Sequence, residues 1–153
     1  MIQRIQSLFL LFTTIFSSLM IFLPFSDMMN ADGELLKLYC TGLHNIPKEI
    51  LIYNTWPLCV LIVTTGLISI ATIIIFQRRV LQMRFCVYNI LITIAQFVLL
   101  LYYFFKFKGE FGADMHSFSF TIILPLINII LLFQAFRAIR RDDLLIKSYD
   151  RLR

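Results

Sequence analysis

WPLCVLIVTTGLISIATIIIF (56–76), QRRVLQMR (77–84) and FCVYNILITIAQFVLLLYYFF (85–105) follow one another without a break. Neither apolar run contains Asp, Glu, Lys or Arg. Each reaches the roughly 20 residues with which a helix crosses about 30 Å of hydrocarbon. The short basic segment between them has room only for a turn, so the two runs predict antiparallel neighbouring helices. The stretch therefore reads as a transmembrane hairpin with a basic tip.

Working outward, two further apolar runs cover about 5–25 and 118–136. Arg4 precedes the first run, as in a secretory signal. No small-residue cleavage site follows it before Pro24, so it reads as a retained helix. Of the 153 residues, 59% are hydrophobic and 15% charged, which leaves too little polar surface to coat a soluble globule. The expected architecture is an all-α integral membrane protein, a single four-span domain over 1–153 folded as an antiparallel bundle. An outer loop covers 26–55 and a tail 137–153. Pro125 is expected to kink or loosen the fourth helix.

Basic residues orient the chain. Ten of the 14 Lys and Arg lie at Arg4, in the 77–84 loop or in the tail. The opposite loops hold Lys37, Lys48, Lys106 and Lys108 diluted by six carboxylates. The positive-inside rule then predicts that both termini are cytoplasmic. Tyr53, Trp56, Tyr102 and Tyr103 fit the outer aromatic belt. The outer loop opens with the turn-rich DMMNADGE, and LLKLYCT and KEILIYN lean towards strand on either side of GLHNIP. A small β-hairpin cap is predicted there.

Inside the spans, Cys86, Asn89, Thr93 and Gln96 recur at helical spacing on one face of the third helix. Thr65, Ser69 and Thr72 do the same on the second, and the fourth carries Asn128 and Gln134. Thr65, Ser69, Asn89, Thr93, Gln96 and Asn128 read as interhelical packing groups. The alternative is a substrate path lined by Asn89, Gln96 and Asn128. Intramembrane ionisable groups, the usual mark of ion pathways, are lacking in these runs.

No catalytic, cofactor or metal residues stand out. His44 and His116 are both in outer segments, which excludes a bis-histidine haem inside the bundle. Cys40, Cys59 and Cys86 form no CxxC and no even set, so they predict neither disulfide framework nor zinc site. Only Cys40 lies in an outer loop, whereas a thiol oxidase needs a pair there. An enzyme reading rests on Asp114 and His116 alone.

The tail RAIRRDDLLIKSYDRLR (137–153) carries six Lys or Arg against three Asp. If helical it is amphipathic, with Leu145, Tyr149 and Leu152 on one face and basic residues opposite, suited to anionic headgroups or a protein partner. The interspersed acids argue against nucleic acid.

Three stretches, MIQRIQS (1–7), FQRRVLQMR (76–84) and RDDLLIKSYDRLR (141–153), resemble a bacterial family catalogued as domain of unknown function 4293. The likeness runs the whole chain, and its signatures all fall at ends expected to be cytoplasmic. It implies an unprocessed inner-membrane protein and transfers no catalytic residue. Together these features predict a non-enzymatic accessory or scaffold subunit of a membrane complex, in contact with lipid and with a membrane-protein partner or a second copy. Arg4, Arg79, Gln82, Asp150 and Arg151 are its candidate contacts. The alternatives are a small oligomeric transporter with a polar path along the third and fourth helices, and a lipid- or quinone-active enzyme.

Overall fold

The apolar runs become four helices, α1 (Gln3–Phe22), α2 (Trp56–Ile74), α3 (Arg79–Phe111) and α4 (Leu124–Arg151). All four are long and apolar enough to cross a membrane. The computed structural model describes the backbone of residues 3–29, 34–46, 50–76, 78–111 and 115–151. Side chains are described for these residues except at 3, 4, 108, 110, 111, 115–118 and 146–151.

Helix boundaries follow local chemistry. α1 stops just before Pro24, whose ring disfavours helix in the residue ahead of it. α2 opens with Pro57 in its first turn, where a missing N–H is no loss. Pro125 falls on the second residue of α4, after a 3₁₀ turn over Phe120–Ile123, so it starts the helix instead of kinking its middle. The expected 77–84 loop is also shorter than the sequence suggested. Arg79–Arg84 already belong to α3, since Arg, Leu, Gln and Met are strong helix formers. Arg78 N–H donates to Ile75 O (3.2 Å) and Gln82 N–H to Arg78 O (3.0 Å), closing the turn. The tail is likewise continuous with the fourth span as far as Arg151.

α1 packs against α2 and α4, and α3 packs against the same two, giving a four-membered ring. One end carries a sheet, which corrects both the all-α expectation and the single hairpin. Its strands are β1 (Ser26–Met29), β2 (Leu35–Leu38), β3 (Gly42–Asn45), β4 (Ile50–Asn54) and β5 (Met115–Phe118), in the order β4-β3-β2-β1-β5 and antiparallel throughout. GLHN, read as a separator, is a strand. β5 comes from the other connection, with Ser26 opposite Phe118, so the sheet ties the two inter-helix segments together.

Alternate residues of β1 and β2 point inward, the period-two pattern of a one-sided sheet. Met28, Leu36, Leu38 and Leu43 thus share one core with Met20, Leu58, Ile62, Leu100 and Phe107 from the helices. A second apolar cluster, Leu10, Cys86, Leu132, Ala135 and Ile139, lies among the helices. Tyr53 of the exposed edge strand β4 meets Phe107 of α3 edge-on at 5.2 Å, and Lys106 sits over the Tyr53 ring.

Candidate functional site

At the end opposite the sheet, three segments distant in sequence converge. Gln6, in the first turn of α1, donates its Nε2 to Oδ2 of Asp142 on α4. Arg79, the first residue of α3, donates Nη1 to the Asp142 carbonyl oxygen at 2.9 Å. Gln82, one turn on, donates Nε2 to Thr72 O at 3.2 Å, fastening α3 to α2. Gln6, Gln82 and Asp142 are only 4%, 3% and 6% exposed, so these bonds are made out of bulk water, where hydrogen bonds are stronger and unpaired groups dearer. Four helices are joined by groups that the apolar runs themselves cannot supply.

Beside this cluster a cleft of about 590 Å³ opens between α1 and the α2–α3 turn, walled by Leu8, Leu11, Phe12, Ile73 and Phe76, with Gln6, Arg79 and Gln82 also on its lining. A wider groove of about 900 Å³ runs along α4 and includes Phe9, Arg137, Arg140, Arg141, Leu144 and Leu145. Arg140, Arg141, Leu144 and Leu145 are exposed.

Gln6, Arg79, Gln82 and Asp142 come from the three stretches that carried the sequence resemblance. The family model described as Domain of unknown function (DUF4293) matches residues 2–152. The chain belongs to that family. No curated protein and no solved structure matches it. For this DUF4293 protein, function must be argued from its own geometry.

Of the expected contacts, Arg79 is half-buried and Gln82 buried, both bonded within the chain. Arg4 lies in α1, and Asp150 and Arg151 in the last turn of α4, but their side chains are outside the described residues. Sequence reasoning did not single out Gln6, although it sits inside MIQRIQS. Asp142 is marked in the sequence only through the tail stretch RDDLLIKSYDRLR.

Thr65, Ser69, Asn89, Thr93, Gln96 and Asn128 are all buried, whereas Gln134 of α4 is exposed. Asn89 donates Nδ2 to Ser69 Oγ (2.8 Å) and to Thr65 O (3.3 Å), bridging α3 to α2. Thr65 Oγ1 meets Gln96 Oε1 at 3.4 Å, and Asn128 Nδ2 reaches Ser17 Oγ of α1 at 3.4 Å. Thr93 and Ser69 instead donate back to carbonyls four residues earlier in their own helices. The Oδ1 atoms of Asn89 and Asn128 are buried and find no hydrogen-bond partner among the described residues.

In the cap, Tyr39 stacks edge-on against His44 at 5.6 Å. Asp114, and the side chain of His116, lie outside the described residues. Among the described residues no group of three His, Cys, Asp or Glu is arranged to hold a metal ion. Cys40, expected to stand alone on the outer side, instead faces Cys59 of α2 with 3.7 Å between sulfurs.

Proposed function

We propose that this protein is a non-enzymatic accessory or scaffold subunit of a bacterial inner-membrane complex, with both termini cytoplasmic and the sheet facing outward. The carrying observation is the convergence of all three family signatures on the Gln6–Asp142–Arg79 cluster. Its polar groups bond to one another, a pattern that fits a structural lock better than a reactive centre. With the lock facing inward, the exposed Arg140, Arg141, Leu144 and Leu145 of α4 form a basic and apolar strip at the cytoplasmic surface. That chemistry suits an acidic, amphipathic segment of a membrane-protein partner, with anionic lipid as its surroundings.

Native electrophoresis of membranes solubilised in a mild detergent tests this. The protein is expected in an assembly larger than itself. The charge reversal Arg140→Glu/Arg141→Glu, on an exposed face, should release it while helicity is retained. Recovery of monomer alone, in detergent and in lipid nanodiscs, would count against the proposal.

One observation favours a second reading as an oligomeric permease. The unpartnered Oδ1 atoms of Asn89 and Asn128 offer two acceptors in the interior to a solute with N–H or O–H donors. Flux into proteoliposomes that Asn128→Leu abolishes in a stably folded protein would establish it. Silence across amine, alcohol and amide solutes would remove it.

A further inference from the structure

We propose that Cys40 and Cys59 form a disulfide that ties the sheet to the first turn of α2. Their sulfurs are 3.7 Å apart, so the roughly 2.05 Å of an S–S bond needs them about 1.7 Å closer on the backbone that carries them.

Thr55 holds that backbone. This fully buried residue precedes α2 and donates Oγ1 towards Tyr39 O (3.2 Å) and Cys40 O (3.0 Å), while its N–H bonds Thr41 O (3.1 Å). The turn carrying Cys40 is thereby pinned beside the helix carrying Cys59. Cys86 belongs to a different core cluster on α3 and does not compete for either sulfur.

The chemistry is thiol–disulfide exchange. Cys40 and Cys59 give up two protons and two electrons as their S–S bond forms, and a disulfide-bearing oxidant on the cap side is reduced to two thiols. Burial pushes the Cys40 thiol up to about 12, and only a thiolate attacks. Exchange therefore precedes closure of the sheet over Cys40, and the finished bond is shielded from reductants. The inference rests on the outward orientation of the sheet proposed above, because a reducing cytoplasm keeps such thiols apart.

Intact mass of the full-length protein decides it. Cells are quenched in acid, and the protein is purified and denatured in excess N-ethylmaleimide, with or without prior reduction. One adduct, at Cys86, is expected without reduction and three after it. Cys40→Ser and Cys59→Ser should each give two adducts without reduction. Three adducts on the unreduced wild-type protein overturn the disulfide. A fluorescent protein fused to the C-terminus, emitting only when cytoplasmic, separates the causes of failure. Three adducts with fluorescence sink the disulfide alone, and three adducts without it sink the orientation as well.

Discussion

Gln6→Leu and Asp142→Leu, made singly and together, probe the lock by a double-mutant cycle. Leucine has as many side-chain heavy atoms as aspartate and one fewer than glutamine, but neither donor nor acceptor. Gln6 and Asp142 are 4% and 6% exposed, so either single change strands a polar partner away from water. A hydrogen bond to a charged group contributes about 1.5–3 kcal/mol, and an orphaned buried group costs about 1–3 kcal/mol. Each single variant should therefore lose about 2 kcal/mol, roughly a 30-fold shift in the folded-to-unfolded ratio. The double variant leaves neither partner orphaned and should recover most of this loss, because replacing both members of a buried pair by apolar groups is close to neutral. The assay is unfolding in dodecyl maltoside titrated with SDS, followed by circular dichroism. A coupling energy within about 0.5 kcal/mol of zero means the two residues act independently. That outcome would refute the convergence of the signatures on which the functional reading depends.

Asn89→Ala removes one of the α2–α3 links and should lower stability by about 1 kcal/mol in the same titration, within the range of interhelical hydrogen bonds in membranes. A β-carbon on Gly42 would lie 2.5 Å from the Tyr53 carbonyl oxygen, whereas one on Gly66 meets nothing closer than Ser17 Cβ at 3.7 Å. Gly42→Ala should therefore melt at lower temperature, with a loss of about 1–3 kcal/mol, while Gly66→Ala melts like the wild type. Reduction of the Cys40–Cys59 bond opens a loop of about 20 residues and should remove about 3 kcal/mol, read as a lower melting temperature in reductant. Cys40 has its thiol pKa raised from 9.0 to about 12 by burial. The stability this gives is complete below pH 9 and fades as pH climbs towards 12. Alkaline unfolding of the reduced protein should thus be steeper than that of Cys40→Ser, a difference that vanishes on oxidation.

The helices were legible because lipid imposes a length and a composition on each span, and both are local properties. The same apolar signal set their number and, with the short 77–84 segment, the pairing of α2 with α3. Of the sheet, β2 and β4 were legible in LLKLYCT and KEILIYN, but β1, β3, β5 and the pairing were hidden for the opposite reason. Its strands are four or five residues long, and β5 comes from the connection between α3 and α4, about 85 residues after β1. The buried alternation in β1 is too short to outweigh the turn residues of DMMNADGE. The lock was half-visible. Its residues lay in stretches already marked as unusual, but Gln6 and Asp142 are 136 positions apart and no spacing rule joins them. Cys40 and Cys59 meet only because β3 and β4 fold back to return the chain to the start of α2, which cannot be read before the sheet is known.

Lipid gives helices no hydrophobic reason to associate, so a four-span protein must hold itself together by packing and polar bonds. Here those bonds occur in three layers, with Gln6–Asp142–Arg79 at one end, Asn89–Ser69 and Asn128–Ser17 within the bundle, and the five-stranded sheet at the other end. Residues engaged in such bonds are poorly placed to greet a partner, because each new contact first breaks an internal one. On the scaffold reading, recognition therefore falls to the outward residues, Arg140, Arg141, Leu144 and Leu145 of α4. Substitutions should then divide into two sets. Changes at Gln6, Asn89 or Asp142 should reduce stability and assembly in proportion, whereas changes at Arg140 or Arg141 should reduce assembly at unchanged stability. If assembly instead followed stability at every position, the α4 strip would have no role of its own, and the partner would have to read some other face of the bundle.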